Sequence, residues 1–153
     1  GYHALNSLRL EKAYRSWGHD VSAGDTPLEA GLGFAVAWDK PGGFTGRDAL
    51  LRQREAGVRR RLVQFALDDP RPLLSHDEPV YRDGVLVGRV TSAAHGHTLG
   101  RSVALGYVTA PEPGLPRSWY ESGRYEIELA SERHSARASL QPMYDPKSER
   151  PKS

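Results

Sequence analysis

Apolar and polar positions along the chain change period near Gly57. Before it they recur at helical spacing; after it they alternate. At roughly 100° per residue, Ala4, Ser7, Leu8, Leu10, Glu11 and Tyr14 lie next to one another around one side of a helix, with Arg9 and Lys12 on the other. The pattern predicts a helix over Gly1–Trp17, stopped by Gly18. His19–Asp25 reads as a polar turn. Thr26-Pro27 with Glu29 fits a capping box with Pro at the first helical position. Gly31–Trp38 alternates small and large residues, as a strand with close backbone approach does. Lys40–Gly43 is a turn. Phe44–Ala56 is a second helix, with Thr45 as cap, Leu50 and Leu51 facing inward, and Gly57 as stop.

From Val58 onward the period is two. Arg61–Leu67 reads as a strand and Asp68–Pro79 as a Pro-rich loop. Pro79–Thr91 is a hairpin around Asp83-Gly84, a strong hairpin dipeptide. Ser102–Val108 is a further strand. Arg124–Ala130 and His134–Leu140 are two more, joined by a Ser-Glu-Arg turn. Tyr144–Ser153 is polar and expected to run extended. Short strands with regular turns predict a small antiparallel barrel or sandwich. The chain divides accordingly into residues 1–57, a helical and strand piece, and residues 58–153, an antiparallel β-barrel with its tail. The fold class is α+β.

One position breaks the helical stripe. Glu11 sits among Ala4, Leu8, Leu10 and Tyr14 rather than on the solvated face, and carboxylates are almost never buried without a partner. Either an internal Arg or backbone N–H cap answers it, or a ligand does. The ligand would present paired donors, such as an amidine, a guanidine or a 2-amino-pyrimidinone edge. Tyr14 is read as a core tyrosine or as a ring packed on a planar ligand. Arg9 is structural.

Composition narrows the classes. The chain has 153 residues, 38% hydrophobic and 26% charged, with net charge +2. Seven basic and seven acidic residues fall in Gly1–Gly57, so that piece is no basic arm, and the Arg59–Arg61 run is too short for a nucleic-acid surface. No apolar run approaches the ~18 residues of a membrane span. The absence of Cys excludes a disulfide framework, a thiol nucleophile and a Cys-based metal site. It fits a reducing compartment, the cytoplasm or a mitochondrial matrix. His95 and His97 alternate on a strand but lack the further ligands a metal needs, and Ser92 with His95 lacks a third member for a nucleophile and base. Asp83–Gly88 runs on into strand, so it is no phosphate loop. The chain enters almost directly into a helix, without a start Met or signal-peptide pattern, and is expected to be a piece of something longer.

SLRLEKAYRSWGHD, TPLEAGLGFAV, FTGRDALL, DEPVYRDGVLVGRVTSAAHGHTLGRSVALGYV and the closing PMYDPKSER together resemble the glycine cleavage T-protein (aminomethyltransferase) family. The likeness is nearest to the folate-binding C-terminal part of dimethylglycine and sarcosine dehydrogenases. It covers nearly the whole chain in order. It implies an aminomethyltransferase-like C-terminal barrel and tetrahydrofolate as cofactor. The LRLE glutamate that touches the pterin in that family maps onto Glu11. Lys40 falls where the family places a basic residue that serves the folate tail; as chemistry, a flexible ammonium suits an anionic tail, and a plain surface lysine is the other reading. In the same family the TPLEAGL run leads into a strand.

The resemblance also implies partners: a preceding folate-binding lobe, an FAD domain in the dehydrogenase relatives, and an amine-derived one-carbon unit that tetrahydrofolate captures as 5,10-methylenetetrahydrofolate. Neither nucleic acid nor membrane is among them. The family's catalytic aspartate lies in an N-terminal stretch outside this chain, and no flavin fingerprint is present. The chain alone is therefore expected not to oxidise an amine. The alternative is a non-catalytic regulatory or assembly subunit of the same fold.

Overall fold

The structure, a computed structural model, describes residues 1–152. Six strands close into an antiparallel barrel: β1 (Arg60–Leu67), β2 (Pro79–Arg82), β3 (Val85–Gly96), β4 (Arg101–Thr109), β5 (Tyr125–Leu129) and β6 (Glu132–Ser139). Around the barrel the order is β1-β4-β3-β2-β5-β6. β6 returns to β1 in the register Phe65–Ala138, which closes the sheet. Closure removes the free edge that would otherwise template aggregation.

Alternation along β1 places Val63, Phe65 and Leu67 inside the barrel with Val80, Val90, Val108, Tyr125 and Ile127. Leu62 points the other way and joins Leu10, Ala13, Val103, Leu105 and Tyr107 in a second cluster on the outer face. That outer cluster is the seat of α1 (Tyr2–Glu11), which lies across β3 and β4. Strand β1 is therefore buried on both faces. A second helix, α2, spans Arg47–Ala56. A short helix α3 (Arg117–Glu121), which alternation did not predict, places Tyr120 in the inner cluster, with Trp119 edge-on to it at 5.0 Å.

The barrel hairpins obey turn chemistry. Asp83 and Gly84 both have positive φ (52° and 82°), the mirror-image turn that suits twisted strands. The β5–β6 turn falls on Ala130-Ser131 (φ 51° and 67°), ahead of the expected Ser-Glu-Arg, and neither residue advertises a left-handed backbone.

Four expectations for the flanking segments are corrected. α1 ends at Glu11, not Trp17. Ala13 takes a left-handed conformation (φ 52°), its N–H donates to Leu10 O (3.0 Å), and Tyr14 N–H donates to Arg9 O (2.8 Å). This is a Schellman stop built on Ala where Gly is usual, which is why Gly18 looked like the end. Gly31–Trp38 is no strand; it turns into a single 3₁₀ turn at Gly33–Ala35, because every ladder position of the closed barrel is already taken. α2 has Gly46 rather than Thr45 at its N-cap, and Leu50 and Leu51 are only half-buried. The tail is not extended: Lys12 Nζ donates to Asp145 O (2.6 Å) and Ser148 Oγ (3.0 Å), and a 3₁₀ turn comes after them at Arg150–Lys152.

The capping box does form at Thr26–Glu29. Thr26 N–H donates to Glu29 Oε2 (3.0 Å) and Glu29 N–H to Thr26 Oγ1 (3.2 Å). It holds a turn rather than an α-helix, and it ties residues 26–29 to the barrel through Leu62 N–H to Glu29 O (2.8 Å).

Gln64 fastens three segments at once. Its Nε2 donates to Leu10 O (2.6 Å) and Glu11 O (3.2 Å), and its Oε1 accepts Met143 N–H (2.8 Å). Gln64→Leu keeps much of the volume but removes all three bonds, while Leu10 O keeps Ala13 N–H (3.0 Å) and Glu11 O keeps Tyr144 N–H (3.4 Å). The expected cost is about 1.5–4.5 kcal/mol, from roughly 0.5–1.5 kcal/mol for each of the three hydrogen bonds lost. A urea titration with an unchanged slope checks it. A change below the scatter of the titration would show the clamp to be dispensable.

Candidate functional site

The C-terminal turn of α1 carries Ser7, Leu10 and Glu11, all buried. Ser7 Oγ donates to His95 O (2.7 Å), which ties the helix to the last stretch of β3. Beyond Gly96 the chain turns towards β4, and that turn presents two N–H groups to one oxygen. Thr98 N–H and Leu99 N–H donate to Glu11 Oε1 at 2.7 and 2.8 Å. Glu11 is 1% exposed, and its other oxygen, Oε2, has no hydrogen-bond partner among the described residues. Backbone donors thus answer half of this buried carboxylate, and the internal Arg that the sequence left open is not there.

Glu11 lines a cleft of about 530 Å³ between α1 and the end of β3. Leu8, Leu74, Ala93 and Ala94 make it mostly apolar, with His95 and His97 along one flank. Volume and lining are those of a small-molecule site: apolar walls with few convergent polar groups. The two imidazoles sit edge to face, 5.1 Å between centroids. Among the described residues no group of three or more His, Cys, Asp or Glu is placed to hold a metal ion.

The structure does not bring the other sequence candidates into this cleft. Tyr14 lies past the end of α1 and is 58% exposed. Ala4 and Leu8, expected to bury Glu11, are exposed. Lys40 is exposed in the turn after the 3₁₀ segment and does not line the cleft. Arg9 is structural: its guanidinium donates to Asp20 Oδ2 (2.7 Å) and Asn6 Oδ1 (2.9 Å).

Three supporting residues escaped the sequence reading. Gly96 passes directly beneath Glu11: a Cβ there would lie 3.0 Å from Glu11 Oε1 and 2.8 Å from Val103 Cγ2. Gln64 holds the carbonyl of Glu11. Asp20, fully buried in what reads as a polar turn, accepts from Arg9, Ser16 N–H (2.9 Å) and Thr91 Oγ1 (2.6 Å) and so pins the loop after α1 to β3. Its signal would have been the neighbouring Arg9, which needs a partner of opposite charge.

A second cleft of about 660 Å³ lies beside Asp25, Arg60, Asp77, Arg89 and Tyr107. Its charges are answered internally: Arg60 pairs with Asp25 at 2.8 Å and stacks 3.7 Å over the Tyr107 ring, and Arg89 faces Asp77 at 3.8 Å. Burial by itself would raise the Asp25 carboxyl, but hydrogen bonds from Ser22 and the Arg60 guanidinium outweigh it and hold the group below its usual range. Burial pushes the Tyr107 hydroxyl up to about 12, where it stays a donor, to Asp20 O at 3.0 Å. With these charges paired among themselves, the Glu11 cleft is the better candidate.

The family model of the glycine cleavage T-protein C-terminal barrel domain matches residues 60–145, and that of the GCVT N-terminal domain matches residues 1–40. The chain is 47% identical over 98% of its length to 4-methylaminobutanoate oxidase (formaldehyde-forming) of Paenarthrobacter nicotinovorans. It is 42% identical over 94% of its length to the mitochondrial pyruvate dehydrogenase phosphatase regulatory subunit of Mus musculus. To mitochondrial sarcosine dehydrogenase of Homo sapiens it is 40% identical over 99%. It spans 17% of the length of each of these three relatives. Among solved structures, glycine cleavage system aminomethyltransferase T from Bartonella henselae superposes with TM-score 0.78 at 25% identity, covering 94% of this chain and 38% of that one.

Gly96→Ala tests the seat of Glu11. The added methyl meets Val103 on one side and the carboxylate on the other, and overpacking of this kind costs about 1–3 kcal/mol. The expected outcome is a lower melting temperature together with loss of the Glu11 to Thr98 and Leu99 hydrogen bonds, read as faster amide exchange at 98 and 99. Unchanged exchange would mean that the site tolerates the methyl.

Proposed function

The chain belongs to the glycine cleavage T-protein family and is an aminomethyltransferase-type module; on that basis we propose that it is the tetrahydrofolate-binding C-terminal portion of such a module. The parent protein is of the FAD-dependent dimethylglycine or sarcosine dehydrogenase kind, in which an amine-derived one-carbon unit passes to tetrahydrofolate. Residues 1–57 are the C-terminal piece of the folate-binding lobe, and residues 58–153 are the barrel domain with its tail. The flavin and the catalytic aspartate belong to preceding domains, so this chain alone does not turn over an amine. The chain makes up 17% of human sarcosine dehydrogenase and 16% of rat dimethylglycine dehydrogenase, in keeping with a division of labour along one polypeptide.

The observation that carries the reading is the half-satisfied carboxylate. Thr98 and Leu99 hold Glu11 Oε1, so the carboxylate is oriented before any ligand arrives, and Oε2 is left without a hydrogen-bond partner among the described residues in a side chain that lines the cleft. A pterin edge offers an exocyclic amino group and a ring N–H. Oε2 accepts from that edge, and the hydrogen bond is charge-assisted and therefore among the stronger kind. Leu8, Leu74 and Ala93 give the cleft around it apolar walls. Tetrahydrofolate, when bound, supplies the amine nitrogens that take up the one-carbon unit; this chain's part is to bind and orient it. Lys40 and Tyr14, both exposed, reach the ligand only if the preceding lobe brings it to them.

That preceding lobe has a surface to meet. Tyr2, Leu5, Leu8, Trp17 and Phe34 are exposed, Trp17 at 74% and Phe34 at 85%. All lie within the residues that match the N-terminal domain, and exposed apolar patches of this kind mark interfaces. Leu8→Asp with Trp17→Asp should leave the melting temperature of the isolated chain unchanged, within about 0.5 kcal/mol of stability as for surface sites. The same pair should lower the stability of the full-length protein. Equal effects in both would remove the interface.

One observation favours a second reading. The relative at 42% identity is named a phosphatase regulatory subunit, which supports the reading of this fold as a non-catalytic regulatory or assembly part.

Glu11→Gln separates these readings. Its side-chain oxygen can still accept from Thr98 and Leu99, which leaves the amide nitrogen facing the ligand's donor edge. A charge-assisted bond is worth roughly 1.5–3 kcal/mol, so tetrahydrofolate affinity of the full-length protein should fall about ten- to a hundredfold, with the melting temperature nearly unchanged. Lost stability with unchanged affinity would make Glu11 a structural residue only.

A further inference from the structure

The end of β3 remote from Glu11 is built differently. β3 begins at Val85, but its register with β4 begins only at Gly88, opposite Val108. Val85 and Leu86 pair with Arg82 and Tyr81 of β2, and the register gives them no strand partner on the β4 side. β4 is drawn away from them toward β1: Thr109 pairs with Arg60, and Ala110 N–H donates to Arg59 O at 2.7 Å. The two strands therefore fork. A groove of about 450 Å³ opens between Val85–Val87 on one side and Thr109–Pro111 on the other.

The groove is mostly apolar and its far wall is fixed. Trp119 lines it, sits edge-on to Tyr120 at 5.0 Å, and has the Arg82 guanidinium 4.2 Å over its ring. Arg82 is held in turn by Asp83 Oδ2 (2.6 Å) and Ser122 O (3.2 Å). At the tip of the hairpin Val85 is 65% exposed and Leu86 59%. The second guanidinium at the groove is Arg59. Its Nε donates to Ala110 O at 2.9 Å, and among the described residues no carboxylate pairs with it. Arg82 is neutralised by Asp83, so the groove carries one oriented, unanswered positive charge.

We propose that the fork receives an extended, acidic segment of a partner protein, which adds a short strand beside the open edge of β3. An unpaired strand edge supplies main-chain hydrogen bonds to another chain. The groove takes an apolar side chain of that segment. The Nη groups of Arg59 take a carboxylate beside it, in the charge-assisted bond a guanidinium forms best. The same charge repels a basic segment, so charge decides which chain can enter. The fork shares no residue with the Glu11 cleft and does not depend on what that cleft binds.

The probe is the fluorescein-labelled, amidated peptide Glu-Val-Thr-Val-Glu, followed by anisotropy on titration with the full-length protein. Saturable binding is expected, weakened about tenfold, or about 1.4 kcal/mol, by Arg59→Glu and to a similar degree by Leu86→Asp. Both residues are exposed, so the melting temperature of each variant should match wild type. Lys-Val-Thr-Val-Lys should bind wild type about tenfold more weakly than the acidic peptide. Glu-Val-Pro-Val-Glu, which lacks the central N–H, should also bind more weakly. Affinity indifferent to Arg59→Glu, or equal for the acidic and basic peptides, would overturn the proposal. So would the absence of binding. In that case, slow amide exchange at residues 85–87 of the full-length protein would show the fork covered by the rest of its own polypeptide, and a dimer that Leu86→Asp dissociates would show it covered by a second copy.

Discussion

The structure depends on how the C-terminal end of α1 is fastened to the barrel. Two buried side chains do it from opposite directions. Gln64, reaching out of β1, donates to the carbonyls of Leu10 and Glu11 at the end of the helix, adding to the bonds they accept from Ala13 and Tyr144 N–H. Glu11, reaching out of α1, takes the N–H groups of Thr98 and Leu99 at the β3–β4 turn. Each exchange satisfies polar groups that would be expensive to bury alone. Together they fix the helix on the outer cluster of Leu62, Val103, Leu105 and Tyr107.

That fastening also sets the geometry of the cleft. With Oε1 committed to the turn, the carboxylate is held in place, and on the proposed reading Oε2 would meet a ligand without further ordering cost. A preoriented acceptor loses less side-chain freedom on binding than a mobile one, and much of specific affinity lies in that difference. Gly96 makes the arrangement possible, since a side chain there would crowd the carboxylate out of its place. The same contacts make the barrel a support for Glu11, although the carboxylate itself lies on the helix.

The loop after α1 is held with equal care by a different device. Asp20 gathers Arg9, Ser16 and Thr91, Glu29 closes its capping box, and the carbonyl of Glu29 takes the N–H of Leu62. Residues 13–30 therefore lie on the barrel despite having almost no regular structure. Their apolar side chains Tyr14 and Trp17, with Phe34 just beyond them, point outwards. The segment is thus anchored by its polar groups and exposed through its apolar ones, the arrangement on which the proposed interface rests.

The barrel was legible in the residue pattern alone. Period-two alternation and the Asp83-Gly84 turn placed its strands to within a few residues, because pleat geometry and hairpin chemistry are local. Glu11 stood out in the same way, since a carboxylate in an apolar stripe is a local anomaly. Its partners did not. Thr98 and Leu99 answer it through backbone groups far along the chain, and backbone donors carry no residue signature. The stop of α1 at Ala13, the turn at Ala130-Ser131 and the missing strand at Gly31–Trp38 were illegible for related reasons. The first two put ordinary residues in left-handed conformations that only surrounding contacts impose, and the third depends on whether a sheet edge is open. Local chemistry wrote the elements; long-range pairing chose where they end and which oxygen of Glu11 is left open.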